Sequence, residues 1–317
     1  MKVAICTITF RRPDGLRKLI DSVSKLRFER VPAPEIEIVV VDNDAGESAR
    51  SICDEWRGKI GPQIEYSVEP RQGITFARNA ALSRVPPDAD FIATLDDDEF
   101  ASEEWLDELL ACQQETKADC VTGPVIPVFP EGTPPWIIEG KFFERRKWPD
   151  RAVVRMASAT NNMLISAPAW RRSGLKFDHR LRLVGSEDGL FFMQGKRHGW
   201  RTLWADKATI YEFQPPARLN SRWIVRRQFQ IGNGLAFCDL IANKWIMAVP
   251  ARILKSGLYL FAGLRDLFIS LLLGRIYRIR GLANLARAGG GIWALLGREF
   301  KSYAPDRVAK ERGLSSP

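Results

Sequence analysis

Histidine and paired cysteine are what this chain has least of. Only His179 and His198 occur in 317 residues, which argues against a histidine-rich metal centre. The five cysteines, Cys6, Cys53, Cys112, Cys120 and Cys238, are scattered, odd in number and form no CxxC pair. They read as reduced thiols in a cytosolic setting, not as a zinc or disulfide framework. The first apolar run, Val3–Phe10, is short and ends in Arg11-Arg12-Pro13 with no small-residue cleavage site, so it does not read as a secretion signal. No run of about 18 uncharged apolar residues occurs, because Arg265 and Asp266 interrupt the best candidate, and a spanning helix is disfavoured. Internal repeats and low-complexity segments are also missing.

What is present has globular proportions: 45% hydrophobic and 27% charged residues, which excludes a disordered, collagen-like or polytopic membrane protein. The length allows one large domain with a tail, or two domains. The net charge of +9 is uneven. From Arg218 onward, 17 Lys and Arg face 5 Asp and Glu, while the preceding part is mildly acidic. A basic tail suits an anionic partner. Ile246, Val249, Ile253, Leu260, Leu264, Leu267 and Leu271 recur at helical spacing, with Arg252, Lys255 and Asp266 on the other side. That pattern fits a helix lying on an anionic membrane surface, or the same stripe packed on the body. It lacks the aromatic–basic interleaving of single-strand binders, so no nucleic-acid partner is expected.

Short Val/Ile-rich runs at Lys2–Phe10, Glu35–Val41, Ile64–Val68 and Phe91–Leu95 read as strands. Between and after them, helical periodicity covers Leu16–Val23 (with Asp14 as a candidate cap), Ala49–Trp56, Thr75–Ser83 and Glu103–Lys117. This alternation predicts an α/β fold with βαβ units and a mostly parallel sheet. Further on, Cys120–Phe129 is strand-like, Pro124–Trp136 reads as a Pro-rich surface loop, Ala159–Ser166 as a strand and Leu190–Lys196 as a helix. A boundary near Pro215-Pro216 divides residues 1–216 from a basic helical extension, 217–317.

Polar clusters sit at three predicted strand ends: Thr9–Arg12, Asp42–Asp44 and Asp96–Glu99. Parallel sheets bind ligands beyond those ends. Adjacent carboxylates at Asp96, Asp97, Asp98 and Glu99 repel one another unless cations compensate, and a hard divalent ion held by one or two of them leaves room for diphosphate oxygens. The same residues also suit a solvated helix start. Asp42 can accept from a nucleobase or ribose, or close a turn. Arg71 and Arg78 flank Gly73 before a helix, a setting for phosphate or for an ordinary turn. Asp188, preceded by Glu187, is a candidate general base. Asn161, Asn162 and Trp136 are candidates for sugar contacts, with turn and core roles as alternatives.

The ordered set Thr7-Ile8-Thr9-Phe10-Arg11-Arg12, Val39-Val40-Val41-Asp42-Asn43-Asp44, Gly73 with Ala77-Arg78-Asn79, Leu95-Asp96-Asp97-Asp98 and Gly185-Ser186-Glu187-Asp188 resembles the inverting family-2 glycosyltransferases of GT-A fold. The stretches Gly123–Trp136 and Tyr211–Pro216 are similar to the bacterial exopolysaccharide branch, the succinoglycan-type glucosyltransferases. The resemblance implies a GT-A, Rossmann-like sheet flanked by helices. It also implies metal-dependent transfer of a hexose, glucose by preference, from a nucleotide-sugar (a UDP-sugar by preference) to a saccharide or lipid-linked saccharide. Thr9, Arg11, Asp42, Arg71, Arg78, Asp96 and Asp97 would then lie at the nucleotide-sugar. Asp98 and Asp96, in the DxD motif, would hold Mn2+ or Mg2+. Asp188 would be the base, and Trp136, Asn161, Asn162 and Glu187 would face the acceptor. The place of a late metal-binding His in many relatives holds Glu212 or nothing, and the QxxRW motif of processive synthases is absent. A non-catalytic nucleotide-sugar-binding scaffold of the same fold is the alternative. The implied location is cytoplasmic, peripheral on the inner face of a bacterial membrane.

Overall fold

The computed structural model describes residues 1–154, 159–304 and 307. In chain order the elements begin β1 (Lys2–Thr9), α1 (Pro13–Ser24), β2 (Glu35–Asp42), α2 (Arg50–Trp56), β3 (Gln63–Val68) and α3 (Ile74–Ser83). They continue with β4 (Phe91–Thr94), β5 (Glu99–Ala101), α4 (Trp105–Thr116), β6 (Cys120–Thr122), β7 (Val125–Val128), α5 (Pro135–Glu139), β8 (Met163–Ser166) and α6 (Ala167–Ser173). The last are α7 (Glu187–Arg197), β9 (Thr202–Trp204), β10 (Ile210–Phe213), α8 (Ser221–Ala242), α9 (Trp245–Leu273) and α10 (Arg275–Leu295). Two compact units result. The first comprises Met1–Val128, Glu144–Phe177 and Phe191–Phe213; the second comprises Phe129–Phe143, Asp178–Leu190 and Gln214–Pro317.

The first unit is built on a seven-stranded sheet ordered β3-β2-β1-β4-β8-β6-β9. It is parallel except for β8, which runs against both of its neighbours. Strands of such a sheet are covered on both faces, so their residues alternate between two cores. Val3, Ile5, Ile38 and Val40 pack with α1, α2 and α4 side chains, including Leu16, Ile52 and Leu106. Ala4, Cys6, Val39 and Val41 pack on the other side with Ala77, Phe177 and Phe191. Two-sided burial explains why β1 and β2 read as continuous apolar runs. The mostly parallel sheet flanked by helices and the helical C-terminal extension are as the sequence predicts. All five cysteines are free and buried.

Several local expectations give way. Asp14 does not cap α1; the helix opens on Pro13 after Arg12, with no side-chain cap, and Asp14 lies in the first turn, where its charge suits the helix dipole. Cys120–Phe129 is not one strand: β6 joins the main sheet, and β7 joins a second sheet ordered β5-β10-β7. The Pro-rich stretch expected as a loop contains β7 and α5, because Pro127 lies in a short strand and Pro135 starts a helix, both positions that tolerate proline. The acidic run is not a helix start; from Glu99 it becomes β5, and α4 opens only at Trp105.

The second unit contains α5 and the three long helices. Along α9 the expected sidedness is present, with its sense set by packing. Ile246, Ile253, Leu264 and Leu271 are exposed, whereas Arg252 and Asp266 are buried against α8 and α10.

Candidate active site

The parallel register of β1 and β2 pairs Thr9 with Asp42, so the ends of both strands stop level. Beta 4 runs alongside β1 and ends one residue before Leu95 and the acidic run. The three polar clusters of the sequence therefore share one edge of the sheet.

At the β2 end, Asp42 is fully buried. Its carboxylate accepts from the backbone N–H groups of Asp44 (3.0 Å) and Ala49 (2.8 Å) and from the Tyr66 hydroxyl (3.2 Å). Burial raises its pKa above the usual carboxylate range, although those hydrogen bonds oppose the shift. Asn43 stitches the next loop to this turn: its amide donates to the carbonyls of Glu69 and Arg71, and its oxygen accepts from Gly73 N–H. Gly73, at φ 141°, occupies a conformation that side-chain-bearing residues rarely adopt and opens α3. Arg11 has φ 52°, held by its N–H to Ser48 and its guanidinium to Asp44 at 3.2 Å. A non-glycine residue at positive φ beside a predicted binding cluster marks a site where strain is tolerated.

Arg71 is clamped by Glu69 through two bonds of 2.8 and 2.7 Å and lies over the Phe76 ring. The same guanidinium lowers the Glu69 pKa. Arg78 reaches the acidic run and pairs with Asp96 at 3.2 Å. Burial raises the Asp96 pKa; Arg78 counters this, while Asp98 and Asp97 add to it. Asp97 is turned inward. It accepts from the Thr9 hydroxyl (3.0 Å) and from Arg12 (2.7 Å), so the structure brings Asp97 and Thr9, two expected nucleotide-site residues, together. Arg12 also meets Asp98 at 3.0 Å. Burial alone would lower the Arg12 pKa, and the two carboxylates more than reverse this. Gly15 makes the close approach possible: a Cβ there would lie 2.0 Å from the Asp97 carbonyl oxygen.

Further charged residues converge. Glu99 is buried, accepting the Asp96 N–H (2.8 Å) and the Asn161 amide (2.6 Å). Burial pushes its pKa well up, with Asp96 and Glu212 adding to the effect. Glu212 sits opposite Glu99 in the β10–β5 register. Arg145 joins both branches, donating to Glu212 (2.9 Å) and to Asn161 (2.7 Å). The acidic run signals Glu99 locally, but nothing local signals Arg145, whose partner Glu212 lies 67 residues away. Asn161 also lines a cleft of about 240 Å³ with Arg145, Trp148 and Trp204. Asn162 does not face it. Its side chain is fully buried, accepting from Trp105 Nε1 and donating to the carbonyls of Pro124 and Ala208. With both amide hydrogens spent and its oxygen engaged, its expected contact with an acceptor gives way to bracing.

Asp188 and Glu187 start α7 in the second unit. Asp188 accepts the Gly189 N–H at 2.7 Å, and Glu187 is buried. Trp136, in α5, is covered by the Arg275 guanidinium 4.2 Å from its ring centre.

The acidic edge can be tested as a cation site. Among the described residues, no group of three or more His, Cys, Asp or Glu gathers as a metal cage. Asp96 and Asp98 nonetheless retain open surface, 33% and 18% of their side chains. Two partly open carboxylates crowded by like charge suit an ion whose remaining ligands are diphosphate oxygens and water. The residues present fit that mode and not a closed protein cage.

A family model described as glycosyl transferase family 2 matches residues 4–172. Succinoglycan biosynthesis protein ExoM of Rhizobium meliloti (strain 1021) is 31% identical over 231 residues, covering 73% of this chain and 72% of ExoM. Among solved structures, S. aureus TarS 1-349 in complex with UDP-GlcNAc has a TM-score of 0.52 at 16% identity, covering 94% of this chain and 93% of that one. Mannosyltransferase PcManGT from Pyrobaculum calidifontis, in complex with GDP-Man and Mn2+, has a TM-score of 0.60 at 15% identity, covering 92% and 87%. At such identities the two structures speak for the GT-A fold alone.

Proposed function

The chain belongs to glycosyl transferase family 2, and from that premise we propose that this glycosyltransferase moves a hexose, glucose in the first instance, from a UDP-sugar to a saccharide or lipid-linked saccharide. The product would enter exopolysaccharide assembly on the cytoplasmic side, in keeping with the ExoM likeness. One observation carries the reading: Thr9, Asp42 and the Asp96–Glu99 run share the carboxyl edge of a parallel sheet, where such sheets take their ligands. The nucleotide-sugars bound to TarS and PcManGT support a donor of this class.

In this reading the turn ordered by Asp42 and Asn43 shapes the nucleoside end of the site. Arg11, Arg71 and Arg78 offset diphosphate charge. Asp98 and Asp96 hold Mn2+ or Mg2+, which when bound stabilises the departing diphosphate. Asp97 and Thr9 position the acidic run, with Arg12 neutralising it. The cleft beside Asn161, with Trp148 and Trp204, offers aromatic faces and polar edges to a saccharide. Asp188 takes the proton of the attacking acceptor hydroxyl, with Glu187 and Trp136 as acceptor contacts. The new bond forms between that oxygen and the anomeric carbon as the bond to the diphosphate oxygen breaks, on opposite faces, so the centre inverts.

The test is transfer from radiolabelled UDP-sugars with and without Mn2+. Asp188→Asn and Asp98→Asn are each expected to reduce turnover by at least about 100-fold. Full transfer by Asp188→Asn removes it as the base. Donor binding with no turnover under any condition points to the non-catalytic scaffold.

A further inference from the structure

Helix α9 is built the wrong way round for water. The buried residues of its seam against the rest of the second unit are Ala248, Arg252, Ser256, Gly263 and Asp266, at three- and four-residue steps but for one longer step. None of these is a large apolar residue, and Leu267 is only half-buried, beside Gly281 of α10. Polar bonds and close approaches hold the seam: Arg252 and Lys255 meet Asp239 of α8, and Asn284 of α10 donates to Asp266. Gly263 and Gly281 face each other across α9 and α10, where an added Cβ on either would lie about 3 Å from the other's carbonyl oxygen. The opposite face carries Leu254, Leu258, Phe261, Leu264, Phe268 and Leu272, all exposed, the last at 88%. A soluble bundle buries its large apolar side chains and turns its charges outward. Small and hydrogen-bonding residues inside with large apolar ones outside is the arrangement of helices that meet lipid.

We infer that the outward face of α9 lies in the surface of an anionic lipid bilayer, parallel to the membrane plane, with α8 and α10 on its water side. Two observations choose this occupant. First, the cations Lys244, Arg265, Arg275 and Arg278 are exposed along or just beyond the apolar face, where phospholipid headgroups would meet them. Second, α9 by itself is long and apolar enough to cross a bilayer, with an 18-residue mean hydropathy of 1.5. Its packed partner α10 carries Arg275, Arg278, Arg280 and Arg287, and could not follow it through the hydrocarbon. An in-plane helix keeps those arginines in water. This refines the sequence expectation: the apolar stripe faces lipid, and the charges expected opposite it are interhelical ties.

Flotation of the full chain with vesicles of phosphatidylcholine, alone or with one-quarter phosphatidylglycerol, tests the inference. The chain should float with the mixed vesicles, less so in high salt, and much less with phosphatidylcholine alone. Replacing Phe261, Phe268 and Leu272 together by Ser should weaken flotation at least about tenfold with circular dichroism unchanged, since these side chains support nothing inside the protein. Alkaline carbonate should release the wild type. Failure to float, equal flotation with both lipids, or an unaffected triple variant overturns the inference, and resistance to carbonate overturns the in-plane placement. A dimer by light scattering that the triple variant dissolves, without flotation, would assign the face to a second copy. Flotation needs no donor sugar, so it stands or falls independently of the transfer assay.

Discussion

Asn162→Ala separates bracing from binding, and its cost can be worked from the geometry. The side chain accepts from Trp105 at 2.7 Å and donates to the carbonyls of Pro124 and Ala208 at 2.8 Å each. Each bond contributes about 1 kcal/mol net, and each leaves a buried partner behind, so about 3 kcal/mol is lost. Asn162 also sits at φ 52°, where asparagine is tolerated but alanine adds about 1 kcal/mol of strain. The expected loss is therefore about 4 kcal/mol for Asn162→Ala, and about 3 kcal/mol for Asn162→Gly, which relieves the backbone term. Urea unfolding followed by circular dichroism reads both values. An amide that met saccharide instead would leave stability within about 0.5 kcal/mol and raise the acceptor KM. A loss below about 1 kcal/mol for Asn162→Ala, or Asn162→Gly faring no better than Asn162→Ala, would refute the reasoning.

Gly15→Ala would drive a methyl into the Asp97 carbonyl, so it should cost about 1–3 kcal/mol in thermal unfolding; a neutral result would show that the acidic run can shift freely. Arg12→Gln strips the shared cation from Asp97 and Asp98 beside Asp96, and a loss of about 2–3 kcal/mol is expected in urea, with less than about 0.5 kcal/mol ruling out Arg12 as the charge balance. Burial raises the Asp42 pKa, so the native state holds that proton more tightly than the unfolded chain does. Its contribution to stability is greatest below the unfolded carboxylate range and falls as pH rises through the folded value. Wild type should therefore lose stability relative to Asp42→Asn as pH rises above the unfolded carboxylate range, and a gap that stays constant with pH would count against the shift.

The first 120 residues were the most legible. Leu16, Leu19, Ile20 and Val23 repeat at helical spacing, and the apolar runs of β1 and β2 are long because both faces are covered. Short elements were less so. Beta 5 and α5 have three and five residues, too few for periodicity to register. The direction of β8 was beyond local reading as well, since a four-residue apolar segment looks the same whichever way it runs.

Local order in the chain determined which residues follow each strand, and hence that Thr9, Asp42 and Asp96 would gather at one edge, because a parallel sheet with short connections brings the ends of its strands together. What each of those side chains touches was decided only in three dimensions. Asp97 turns to Thr9 across 88 residues, Asn161 reaches Glu99 across 62, and Arg252 and Asp266 of α9 face inward because α8 and α10 supply Asp239 and Asn284. A side chain's bonding depends on neighbours that chain crossovers deliver, and sequence spacing does not encode that distance.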